Sequence, residues 1–139
     1  MVDRYLVIDT NVFVSAMLFP LSKANRAMEK AALMGSIVLS QPIVYELSST
    51  LSENKFDRYL SLTARLLFLE DIFAQAKIMD SGVEIKVCRD PNDDMFLELA
   101  VTAQAACIIT GDPDLLTLHP FRGIPILSPA AFLNWTLSK

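Results

Sequence analysis

Four short apolar runs constrain this chain more than any other feature. They are Tyr5-Leu6-Val7-Ile8, Ile37-Val38-Leu39, Cys107-Ile108-Ile109 and Ile124-Pro125-Ile126-Leu127. Runs this short, bounded by turn and capping residues, suit strands buried on both faces. Between them lie longer stretches with apolar residues at three- and four-residue spacing, the period of an amphipathic helix. The alternation predicts an α/β fold. It is a three-layer sandwich with a central, mainly parallel sheet of four to five strands covered by helices on both faces. The 139 residues, 53% of them hydrophobic, are enough for one such domain spanning 1–139.

In chain order, a strand over 4–9 leads into a short helix, with Thr10 and Asn11 as residues of N-capping type and a stop near Phe19-Pro20. Ser22 is placed to cap a helix over 23–34 that Gly35 ends. Pro42 opens the helix after the second strand and turns Val44, Leu47 and Leu51 inward. A long helix over 61–79 carries the stripe Leu62, Leu66, Leu69, Phe73 and Ala76, read as core or a helix contact. Val83 to Val87 is read as a short edge strand, and a helix follows over 92–106. Gly111-Asp112-Pro113-Asp114 turns out of the third buried strand, and a last helix runs from Pro129 to Leu137.

Acidic residues recur just past the strands or in the first turns of the helices that follow. They are Asp9, Glu46, the run Asp90, Asp93 and Asp94, and the pair Asp112 and Asp114. Parallel strands emerge on one edge, so acids from distant stretches of chain can meet in one crevice there. Asp94 and Glu98 are four residues apart and share a helix face. Each acid alone has a plain alternative as a cap, a turn former or a solvated residue. Together, carboxylates converging without a counter-ion would raise one another's pKa values. A hard divalent cation relieves that, and all-oxygen ligands suit Mg²⁺ or Mn²⁺. Such sites hydrolyse phosphodiesters with a cation-activated water.

Other chemistries fit poorly. There is one histidine, His119, in a loop, and no G-x-S-x-G elbow. The four glycines, Gly35, Gly82, Gly111 and Gly123, build no phosphate-binding glycine loop. The two cysteines form no C-x-x-C, and Cys107 reads as a buried free thiol. A net charge of −4 argues against a protein that grips nucleic acid mainly through a basic surface, but not against a nuclease with clustered acids. Lys23, Arg26 and Lys30 on one helix, with Lys55 and Arg58 further on, are the cations available to a phosphate backbone. No apolar run reaches membrane-spanning length, and Met1-Val2-Asp3-Arg4 lacks a signal-peptide layout, so a cytoplasmic protein is expected.

Ile8-Asp9-Thr10-Asn11, then Glu46, then Asp93-Asp94-Met95-Phe96-Leu97-Glu98-Leu99-Ala100, then Ile109-Thr110-Gly111-Asp112-Pro113-Asp114-Leu115 resemble the PIN-domain nucleases. The likeness is strongest to the small VapC-like toxins of toxin–antitoxin pairs, and it covers nearly the whole chain. It implies a Mg²⁺- or Mn²⁺-dependent endoribonuclease with an acidic quartet of Asp9, Glu46, Asp94 and Asp112. Asn11 and Thr110 match neighbours that orient those acids, while Asp93, Glu98 and Asp114 support them. Asp94 is preferred to Asp93 because it lines up with Glu98. The family further implies an RNA substrate, a small antitoxin partner and a homodimer or higher oligomer. Apolar residues around Phe13, Val14, Met17, Leu18 and Phe19 are the expected partner groove. The rival reading is a PIN-like module that binds RNA or protein without cutting.

Overall fold

The innermost strands are the most apolar runs of the sequence. Leu6, Val7 and Ile8 are at most 1% exposed, and Cys107, Ile108 and Ile109 are fully buried. In the computed structural model, which describes residues 4–136, these runs are β1 (Tyr5–Ile8) and β4 (Cys107–Ile109). With β2 (Ser36–Leu39), β3 (Lys77–Ile78) and β5 (Ile126–Leu127) they form one five-stranded sheet in the order β3-β2-β1-β4-β5. Every pairing is parallel, with Leu6 opposite Ile37 on one side and Cys107 on the other. The chain builds outward from β1 to β3 and then crosses back to β4. The direction of winding therefore reverses between β1 and β4, which is where open α/β sheets bind ligands.

Among the described residues seven α-helices flank the sheet: α1 (Thr10–Leu18), α2 (Lys23–Met34), α3 (Gln41–Leu51), α4 (Leu62–Gln75), α5 (Asp94–Ala103), α6 (Pro113–Leu116) and α7 (Pro129–Leu133). Packing joins α1 to α2 and α3, α2 to α7, and α3 to α4 and α5. The Ser22 hydroxyl caps α2 by accepting from Asn25 N at 3.1 Å. Gly35 ends that helix for a different reason from the left-handed stop expected of it. Its φ is −174°, and a Cβ there would lie 2.4 Å from the Arg4 carbonyl oxygen, so the position needs glycine for close approach to β1. In α3 the buried residues are Ile43, Leu47 and Leu51, with Val44 only half-buried.

The structure corrects the sequence reading in three other places. First, α4 ends at Gln75, and its inward face is Arg65, Leu69 and Ile72. Of the expected stripe, Leu69 is buried and Phe73 and Ala76 pack against the core, while Leu62 and Leu66 turn outward. Leu62, Leu66 and Leu67 are 46%, 45% and 60% exposed. Arg65 is fully buried because its guanidinium donates to three carbonyls, of Leu51 (2.8 Å), Glu53 (2.9 Å) and Leu60 (3.1 Å), and pairs with Asp57. Second, the edge strand is Lys77–Ile78, while Val83 to Val87 stays outside the sheet. Third, the helix expected over 92–106 is shorter. A 3₁₀ turn, Pro91–Asp93, precedes α5, which ends at Ala103. The last helix is likewise shorter: expected to reach Leu137, it ends at Leu133 with Asn134 as its C-cap, and Trp135 and Thr136 are not helical. Leu137 lies outside the described residues, as do Met1 to Asp3.

Candidate active site

At the carboxyl edge of the sheet four strands, β1, β2, β4 and β5, hand over to a helix through a turn that carries a polar residue. Asp9, Ser40 and Ser128 are the N-caps of α1, α3 and α7, and Asp112 is that of α6. Continued to one residue past the strand ends, the register sets Ser40, Asp9 and Thr110 in one row across β2, β1 and β4. Thr110 Oγ1 donates to Asp9 Oδ2 at 2.7 Å and accepts from Asp112 N at 3.0 Å. A single buried hydroxyl thus fixes both the first acid and the turn that carries the last one. On the α3 side, Thr10 Oγ1 donates to Glu46 Oε2 at 2.7 Å.

The electrostatics show which acids meet. Asp9 is 5% exposed, and its pKa is raised. Burial is the largest cause, and repulsion by Asp112 and Glu46 adds to it against the opposing Thr110 hydrogen bond. Asp93 is half-buried, and its carboxyl is pushed up to about 7. Burial leads there too, followed by a hydrogen bond to Asp112 and the charges of Asp112, Asp9 and Asp90. Asp9, Glu46, Asp93 and Asp112 therefore share one electrostatic neighbourhood.

Asp94 does not share it, contrary to the preference for Asp94 over Asp93. Its Oδ1 accepts from Val87 N at 3.1 Å and Cys88 N at 2.9 Å. Burial alone would raise its pKa, but these amides and the Cys88 thiol hold it below the ordinary carboxylate value. The choice between the neighbours is made by the turn before α5. Asp90 caps that turn through Asn92 N, at 3.0 Å, and leaves Asp93 directed at Asp112. Glu98, expected as a supporting acid, instead accepts from Ile85 N at 2.9 Å. Asp114 is exposed, and its backbone N donates to Asp112 Oδ1 at 3.0 Å.

Asn11 is exposed and lines an open crevice of about 510 Å³ together with Ser15, Ala24, Asp112 and Pro129. A second groove, lined by Lys23, Arg26, Ala130, Leu133 and Asn134, lies between α2 and α7. Lys23 and Arg26 are exposed there. Lys30 is not available with them: its Nζ donates to the carbonyls of Phe132 (2.6 Å) and Trp135 (2.7 Å) at the end of α7. Lys55 is paired with Glu53. His119 Nδ1 accepts from Ile126 N at 2.8 Å, a structural use.

Two contributors escaped the sequence reading. Thr10 was taken for a cap, and its contact with Glu46 depends on how α3 lies against α1. Ser40 Oγ is buried and has no hydrogen-bond partner. A buried polar atom left unmatched in an acidic row is a place for a ligand's oxygen or water to bind. The donor chemistry, all oxygen, fits a hard divalent ion. Among the described residues no three carboxylates already enclose one point at ligand distance.

Comparison with known proteins agrees with this fold. The family model described as PIN domain matches residues 5–114. An uncharacterised protein of Methanocaldococcus jannaschii, MJ1680, is 31% identical over 116 residues, covering 82% of this chain and 74% of its own length. VapBC2 of Rickettsia felis, solved bound to a DNA fragment from its promoter, superposes with a TM-score of 0.61 at 15% identity, covering 89% of this chain and 98% of that one. PAE2754 of Pyrobaculum aerophilum superposes with a TM-score of 0.62 at 16% identity, covering 95% and 88%. No helix among the described residues is long and apolar enough to cross a membrane. On the family match, the sheet order and the acids gathered beyond β1 and β4, the chain belongs to the PIN-domain family of nucleases.

Proposed function

We propose that this protein is a Mg²⁺- or Mn²⁺-dependent endoribonuclease, acting in the cytoplasm as the toxin of a toxin–antitoxin pair. The observation that carries the reading is the crowding of Asp9, Asp93 and Asp112. Burial and mutual repulsion hold two of these acids above their ordinary pKa, a cost that bound positive charge would relieve. In this reading Asp9, Asp93 and Asp112 hold the cation directly or through water. When bound, the cation lowers the pKa of the attacking water and neutralises charge developing on the phosphate. Thr110 keeps the Asp9 carboxylate in one orientation. Thr10 holds one oxygen of Glu46 and leaves the other to accept a proton or orient water. Asp93, whose carboxyl burial and the hydrogen bond to Asp112 push up, would give up its proton in order to hold the cation. No side chain serves as nucleophile.

RNA is proposed to run along the groove between α2 and α7, with Lys23 and Arg26 on its phosphates. A small antitoxin and a second copy of the chain are the proposed protein partners. Of the apolar residues expected to receive them, Phe13 and Met17 are core, while Phe19 (55% exposed) and the adjacent Leu21 (93%) are open to a contact.

The rival reading, a non-catalytic binding module, draws on the lack of a ready-made three-carboxylate cage among the described residues. One experiment separates the two. Highly purified protein and its Asp9→Asn variant are compared for RNA cleavage with Mn²⁺, Mg²⁺ or a chelator. Removing partners outside the metal's direct ligands already costs about 10–100-fold, so loss of a central ligand should exceed about 100-fold. Cleavage that persists in the variant, or that ignores the chelator, would exclude this mechanism.

A further inference from the structure

The segment Ser81 to Cys88 runs beside α5 without joining the sheet, and side chains take its amides. Thr102, Glu98 and Asp94 are spaced at four residues along one face of α5. Gly82 N donates to Thr102 Oγ1 at 3.1 Å, Ile85 N to Glu98 Oε2 at 2.9 Å, and Val87 N and Cys88 N both to Asp94 Oδ1. Ile85 is 4% exposed and anchors the segment to the core between these bonds. An irregular segment normally leaves such amides to water. Here a helix face takes four of them in register.

We propose that this strap is a positioning device for Asp93, and that Asp94, Glu98 and Thr102 are the positioning residues that hold it. The proposal rests on the reading of Asp93 as a cation ligand. Between Cys88 and Asp94 the chain makes one short loop. Asp94 closes it at the base, and Asp90 tightens it inside, its side chain accepting from Asn92 N and its carbonyl from Asp93 N, both at 3.0 Å. Asp93 is the last residue of that loop and faces Asp112. With the base open, only the Asp90 contacts inside the loop remain to fix where the Asp93 carboxylate points. The ladder therefore spends two acids of the α5 face on geometry rather than on the cation.

Glu98 and Thr102 lie one and two helical turns beyond the loop, so their removal tests the strap without touching the carboxylates that face Asp9. Two readouts are needed: amide hydrogen exchange in the cation-free protein, and the Mn²⁺ dissociation constant by calorimetry. Glu98→Ala should speed exchange at Ile85, Val87 and Cys88 and weaken Mn²⁺ about tenfold, as loss of an orienting partner does. Glu98→Gln keeps an acceptor oxygen and should stay within about twofold of the parent. Thr102→Val loosens only the far end and should cost about threefold, which covers the case of a Glu98→Ala protein that does not fold. Variants that exchange faster yet bind Mn²⁺ as the parent does would overturn the positioning role. A parent protein that binds no Mn²⁺ would instead overturn the cation reading, and this inference with it.

Discussion

The carboxyls of Asp93 and Asp94 leave the chain one residue apart and meet opposite surroundings. Asp94 receives two backbone N–H groups and stays ionised, whereas Asp93 meets burial and another carboxyl and is pushed up to about 7. The sign of the pH dependence follows. The folded protein holds a proton on Asp93 that the unfolded chain, with an ordinary value of 3.8, gives up. Stability from that proton is complete below about pH 4 and is lost as the pH rises through about 7. Asp9, also raised, acts in the same direction. Asp94 acts in the opposite one, losing its contribution only as the pH falls below the ordinary carboxylate value. Thermal unfolding in chelator should therefore show the melting temperature falling from about pH 5 to about pH 8, with a weaker fall in Asp93→Asn. At the upper pH that variant should melt about 3 °C higher, roughly 1 kcal/mol after discounting for the solvent screening of a half-exposed group. An equal slope in both proteins would place the raised proton elsewhere.

At the scale of elements, the parts built from apolar runs were legible and the parts held by polar contacts were not. Leu6 to Ile8 and Cys107 to Ile109 could only be interior strands, and the acids after them could only lie at one sheet edge. By contrast β3 has two residues, both exposed, and carries no pattern to read. The Val83 to Val87 run looks like a strand in sequence, but its amides are bonded to side chains of α5. The α4 stripe misled because its inward face is centred on a charged residue, which becomes core only once three carbonyls and Asp57 surround it. Neighbouring aspartates cannot be told apart by spacing, and the capped turn at Asp90 decides between them. The α4 account has a direct consequence. Arg65→Met should destabilise the fold by about 3 kcal/mol, because charged hydrogen bonds are lost and buried carbonyls are left unmatched. Chemical denaturation measures it. A loss near zero would mean that those carbonyls find other partners.

At the scale of the whole molecule, an acidic protein approaches a polyanion, and the approach depends on where its few free cations sit. Lys30 is engaged within the fold and Lys55 is paired with Glu53 at the surface, whereas Lys23 and Arg26 line the groove between α2 and α7. Reversing both charges should weaken RNA binding at low salt and reduce the slope of log affinity against log salt by about 1 per lost phosphate contact. Unchanged binding would move the RNA path to another face. The pairing of β1 with β4 has one more consequence. Thr110 reaches Asp9 across 101 residues of sequence. A nascent chain still emerging from the ribosome carries its first acid long before it carries the strand that orients it. A site divided in this way stays incomplete until β4 has left the ribosome and paired with β1.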